Sequence, residues 1–272
     1  MHLVPLLLYA AAAAAYVAHF AWRDARVGRL ATALLGGGVL GHTFLIGMQT
    51  VQAGHAPLVG TSAAISAFVW LLGLSYLYVE LTSDERSMGA FVSVLMVALD
   101  VIPALDPSVT PRPPLLQSPL FTVHIMAVLL AYASFALAGV LGVTYVLLFK
   151  EIKAKQLGFF YTRLPSLQVL DVMNGRAITV GWIFLTLGVV VGGIWAVAVQ
   201  DSSDPRAQAM SLEDPKILIA LLSWGIYSFA LFARKAIGWS GRRAAYLSGI
   251  AFVVVLLNFV LVGYFLTKSH NF

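Results

Sequence analysis

Six histidines, at positions 2, 19, 42, 55, 124 and 270, are the side chains of this sequence best suited to hold a metal, because cysteine is absent altogether. The chain therefore has no disulfide, no thiolate ligand and no redox CxxC pair of its own. Any metal or cofactor must be held by His, Met, Tyr or carboxylates. Carboxylates offer little: Asp100 is the only acidic residue well inside an apolar run. It has no second carboxylate beside it for acid/base work, and a structural hydrogen bond accounts for it. P-loop, GxSxG, HExxH and Rossmann patterns do not occur in a supporting context, so the chemistries of soluble enzymes have no foothold. The paired broken helices of many secondary transporters are also lacking.

The elements that position these histidines are read from hydropathy. Hydrophobic types make up 60% of the 272 residues and charged types 11%, against roughly 25% charged in a soluble domain. The fold expected is all-α, a polytopic integral membrane protein forming one membrane domain over residues 1–272. Runs of about 20 apolar residues, the length a span needs, fall near 3–21, 30–51, 61–79, 88–105, 120–149, 178–199, 217–233 and 244–266, which makes eight transmembrane helices. The first run lacks the basic flank and small-residue cleavage site of a removable signal and reads as a permanent helix. The stretch 151–176 mixes aromatic and aliphatic residues with a few charges. It reads either as a helix lying in the interface or as a plain linker.

Charge sets the orientation. Arg23, Arg26, Arg29, Arg86, Lys150, Lys153, Lys155, Arg163, Arg176, Arg234, Lys235, Arg242 and Arg243 all fall on one side of the alternation, whereas Arg112, Arg206, Lys216 and Lys268 fall on the other. The positive-inside effect puts the larger set in the cytoplasm and both termini outside. The same distribution explains the formal charge of +5 without a nucleic-acid partner, since the basic residues sit in short turns beside the lipid bilayer.

On this topology His2, His55, His124 and His270 gather on the outer side. Two neutral imidazoles from different helices can grip one haem iron between them, while histidines near helix ends also occur as ordinary interfacial residues. His124 stands out as an ionisable group inside an apolar run. His42, mid-span among Gly36, Gly37, Gly38 and Gly41, is either a buried ligand or a histidine hydrogen-bonded across a helix interface. His19, near the cytoplasmic end of the first span, snorkels.

Several segments carry a family resemblance. GGIWA around Trp195, a loop ending in Asp214-Pro215-Lys216, SWGIYSFALFARK from Ser223, GWSGRRAAYLSGIAF from Gly238 and KSHNF ending the chain together resemble the cytochrome c assembly family, which contains CcsA and the HemX-like proteins. Upstream, GHAPL at Gly54–Leu58 is similar to that family's GHFPL segment, and HIMAVLLAYASFALAG from His124 is similar to its histidine-opened helix. The length and the eight spans suit the smaller, HemX-like branch.

The resemblance implies a haem platform on the outer face, with His124 and His270 as metal ligands to a non-covalent b-type haem and Trp195 as packing. Asp214, His55 and His42 complete the cofactor-binding candidates. The chain departs from the pattern in three places. Ser211 and Glu213 stand where the family's tryptophan pair precedes Asp214, Ile217 replaces a glutamate, and Phe232 replaces a membrane-embedded histidine. These departures point to a haem-binding or accessory component of the plasma (inner) membrane rather than a complete haem lyase. Its expected partners are haem and a second membrane subunit of the assembly system or a respiratory or haem-synthesis protein. The alternative is a HemX-like regulator that acts by partner contact. The outer loops 106–119 and 200–215 are expected to close over the site as a lid.

Overall fold

The computed structural model describes residues 2–106, 113–155, 158–199 and 215–257, and among these every regular element is a helix. In chain order they are α1 (Leu3–Trp22), α2 (Ala25–Ala53), α3 (Thr61–Ser83), α4 (Gly89–Leu105), a 3-10 turn (Pro114–Gln117), α5 (Pro119–Lys153), α6 (Phe159–Arg163), α7 (Leu167–Ala198), α8 (Pro215–Ala236) and α9 (Arg242–Leu257). By length and composition α1, α2, α3, α5, α7 and residues Ile217–Ala236 of α8 can cross a membrane, whereas Gly89–Leu105 is apolar but shorter.

The helices form two halves. In the first, α1 packs on α2 and α4, and α3 packs on α2 and α4; in the second, α5 packs on α7 and α9, and α8 joins α7 and α9. Contacts of α3 with α5 and α7 connect the halves, with Ser75 and Ser134 hydrogen-bonded across the seam at 3.1 Å.

The basic turns collect at one end of this bundle. Arg23, in the α1–α2 turn, donates to Ser87 of the α3–α4 turn and to the Thr162 carbonyl of α6, both at 3.2 Å. Arg176 of α7 donates to Ser83 at 2.8 Å. Asp171 accepts two bonds from Arg234 and one from the Gly241 amide of the α8–α9 turn, all at 2.9 Å.

The stretch 151–176 differs from both readings of it. It is mostly helix: α5 continues to Lys153, and α7 begins at Leu167, where Ser166 caps it by accepting from the Val169 amide. Among the described residues α6 is the helix between them, its Phe160 and Tyr161 amides bonded to the Glu151 carboxylate. Polar residues remain helical here because each finds a partner. Asp171 has Arg234, and Asn174 donates to the Ala138 carbonyl at 2.8 Å while accepting from Ser248 at 3.0 Å.

Glycine sets how closely the aromatic side chains seat. A Cβ at Gly38 would come within 2.7 Å of the Tyr9 ring, and one at Gly89 within 2.2 Å of Tyr16. In the second half, a Cβ at Gly181 would come within 2.4 Å of Phe135. Phe135 in turn stacks on Tyr227 with centroids 3.6 Å apart. Helices that lack a strong hydrophobic incentive to associate in lipid gain most of their contact from such close approach.

Candidate functional site

The end opposite the basic turns carries a small apolar cluster of its own, made of Val59, Leu116, Phe121 and Trp195. These come from four segments: the α2–α3 turn, the 3-10 turn, the start of α5 and the end of α7. Phe121 and Trp195 meet with ring centroids 5.0 Å apart. The described part of the 106–119 loop therefore lies over the helix ends through Leu116, which is fully buried. Residues 107–112 and 200–214 lie outside the described residues, so the expected lid is described only in that part.

His124 sits beside this cluster, one turn into α5 from Phe121. Its Nδ1 is 2.8 Å from the Gly188 carbonyl oxygen of α7. A carbonyl only accepts, so Nδ1 carries the proton and, in the neutral ring, the lone pair resides on Nε2. Gly192, four residues on from Gly188, forms a shelf for this ring, since a Cβ there would come within 2.5 Å of the imidazole, and a Cβ at Gly188 would come within 2.7 Å of Val128 of α5. Two turns of α7 thus present Gly188, Gly192 and Trp195 on one face toward α5. Trp195 is buried, and its indole N–H has no hydrogen-bond partner among the described residues. An indole N–H can only donate.

This arrangement fits a flat aromatic ligand with a metal centre. It supplies an imidazole whose tautomer is fixed by a backbone carbonyl, the usual second contact of a metal-bound histidine. Beside it are apolar and aromatic walls and one buried donor. Haem fits these residues.

The other candidates are distributed as follows. His55 lies in the α2–α3 turn with Nδ1 3.3 Å from the Ala56 carbonyl, in the same turn that sends Val59 into the Trp195 cluster. His2 accepts from the Gln49 amide at 2.9 Å; burial and then the charged N-terminus hold its pKa below the usual histidine value. His42 is separate from His124. It is fully buried between α1, α2 and α3, with Nδ1 3.2 Å from the Tyr9 hydroxyl and Nε2 2.8 Å from Ser66. It is hydrogen-bonded across helix interfaces, with both ring nitrogens occupied. His270 and Asp214 lie outside the described residues.

One buried carboxylate escaped the hydropathy reading, which ended the third span at residue 79. Helix α3 runs on to Ser83, and Glu80, 1% exposed, accepts from Tyr16 at 2.7 Å and from Thr32 at 2.5 Å. The available signal was local: Leu81 and Thr82 prolong the apolar run past Glu80. The α7 shelf was also passed over, although its Gly-Val-Val-Val-Gly pattern is a small-xxx-small motif.

The fold and the site define a multi-pass helical membrane protein with a histidine and a tryptophan seated together at the end away from its basic turns. Residues 58–270 match the family described as Cytochrome C assembly protein, and the chain belongs to that family. It is similar to the cytochrome c biogenesis protein CcsA of Guillardia theta, 26% identical over 250 residues that cover 85% of this chain and 81% of the relative. The corresponding protein of Trieres chinensis is 25% identical over 261 residues, covering 84% and 81%. That of Synechococcus sp. (strain CC9902) is 26% identical over 236 residues, covering 77% and 75%.

Proposed function

We propose that this cytochrome c assembly protein holds haem non-covalently at its outer face as cargo for cytochrome c maturation. His124 would hold the iron through Nε2, with His270 as the second ligand. The carrying observation is the bond from His124 Nδ1 to the Gly188 carbonyl, which fixes the ligating tautomer beside Trp195. In this reading Trp195 and Phe121 wall the porphyrin, Asp214 and His55 are further contacts to it, and His42 holds the helices that carry the His55 turn. The bound haem supplies the group that is passed on; the protein orients it and keeps it dry.

Eight spans with both termini outside belong to the same reading. The convergence of the Arg23, Arg176 and Arg234 segments at one end supports it, because the positive-inside effect assigns that end to the cytoplasm of a plasma membrane. A separate membrane subunit then receives or supplies the haem, and this chain acts as a binding component and not as a complete lyase.

Purified protein reconstituted with haem is expected to show a Soret band that His124→Ala weakens while the helical content by circular dichroism stays unchanged. A protein that stays colourless in the presence of haem, or a band indifferent to both His124→Ala and His270→Ala, overturns the proposal and leaves partner contact as the function.

A further inference from the structure

At the basic end, the corner where α5 meets α9 carries cations with no carboxylate partner among the described residues. Lys150 and Lys153 end α5, Lys235 ends α8, and Arg242 and Arg243 begin α9; all five are exposed. Among the described residues the ion pairs are Arg86 with Asp84 and Arg234 with Asp171, so none of the five has a carboxylate partner there. The nearby acids are engaged elsewhere. Asp171 is filled by Arg234 and the Gly241 amide, and Glu151 caps α6.

The corner is also rigid. Gly238 and Gly241 have φ of 73° and 62°, a left-handed conformation that glycine adopts without strain, and the Trp239 amide donates to the Ala233 carbonyl at 2.9 Å. A Cβ at Gly241 would come within 2.6 Å of the Tyr145 hydroxyl, so α5 locks this turn from below. The guanidinium of Arg242 sits over the Phe149 ring at 5.3 Å and that of Arg243 over Trp239 at 5.5 Å. A guanidinium held by its face on a ring keeps its N–H rim available to a phosphate. Exposed Tyr246 and Ile237 flank the corner.

We propose that this corner is a binding site for the phosphate headgroup of an anionic phospholipid in the leaflet at the basic end. Fixed guanidinium planes match a phosphodiester, lysines add point charge, and the flanking aromatic and aliphatic side chains face the acyl region of the same lipid. Arg26 and Arg29, exposed at the start of α2, supply an internal contrast: they carry equal charge at the same end, without the aromatic supports.

The test counts lipid retained by the full chain through delipidation, using native mass spectrometry after purification with a mixture of phosphatidylglycerol and phosphatidylcholine. Selective retention of phosphatidylglycerol is expected, with R242Q/R243Q weakening it by about 25-fold, since each basic group near an anionic surface contributes about fivefold. K150Q, which leaves the turn untouched, should weaken it by about fivefold, and R26Q/R29Q should leave it unchanged. Equal loss in both arginine pairs overturns the site in favour of undirected surface charge. No preference for phosphatidylglycerol in the parent chain overturns it outright, as does full displacement of the lipid by inorganic phosphate, which would mark a site for a soluble anion.

Discussion

The two halves of the bundle bury polar groups in different ways. In α1–α4 two groups of buried polar side chains close on one another: Tyr9, His42 and Ser66 form one chain, and Tyr16, Glu80 and Thr32 form another. In the second half, Trp195, Ser223 and Tyr227 are buried with polar atoms that have no partner among the described residues. A satisfied network fixes a unique packing, whereas an unpaired donor retains the full cost of its desolvation until something accepts from it. The first half is thus built as a support, and the second half retains unpaired donors, of which the Trp195 indole lies at the His124 end.

The contrast can be broken hardest where the second half is most like the first. Asp171→Leu strands the Arg234 guanidinium, both side chains being largely buried, and is expected to cost about 3 kcal/mol. Thermal unfolding in detergent would register this, and an unchanged transition would show that the ion pair is idle. The next effect separates two adjacent glycines. Gly192→Val drives a side chain into the His124 imidazole and should cost about 2 kcal/mol by overpacking, with loss of any bound haem. Gly193→Ala, where an added Cβ meets nothing within 4 Å, should be neutral in both readouts. Equal behaviour of the two variants would remove the shelf from the argument.

A smaller effect sharpens the supporting role of the first half. Tyr16→Phe deletes one donor to Glu80 and should cost about 1 kcal/mol, lowering the unfolding temperature and leaving haem content as it was. A fall in haem content at unchanged stability would instead give the first half a direct part in binding. The smallest change concerns the reciprocal clasp of α7 and α8, where Trp182 donates to Ser228 and Trp224 to Thr186. Because Trp224 is 37% exposed, Trp224→Phe should cost about 0.5 kcal/mol. A double variant with Trp182→Phe tests whether the two bonds add.

Hydropathy made the helices legible because lipid demands long apolar runs, and α1 to α5 lie within a few residues of the expected spans. It failed where polar residues stay helical by pairing with residues far along the chain. Asp171, Asn174 and Arg176 look like loop composition until Arg234, Ser248 and Ser83 are brought beside them. Glu80 was hidden for the same reason, its partners Tyr16 and Thr32 lying on other helices. At the site, His124 and Trp195 were legible from residue type and resemblance. The Gly188 carbonyl that orients the imidazole was not, because a backbone acceptor leaves no mark in composition. His42 could be read two ways from its glycine-rich surroundings, and only the arrangement of Tyr9 and Ser66 decides between them.

Arg23 joins segments that leave the ribosome far apart in time. Its guanidinium bonds to Ser87, 64 residues later, and to the Thr162 carbonyl, 139 residues later. At about 5–20 residues per second, the interval before Thr162 is made is roughly ten seconds. Within it α1–α4 can pack with Arg23 bonded to Ser87 while its bond to α6 is still to form. The arginine therefore acts as a late clasp in biogenesis: its bond to Ser87 can fasten two turns of the first half early, and its bond to α6 ties that end to the second half only after α5 has been synthesised.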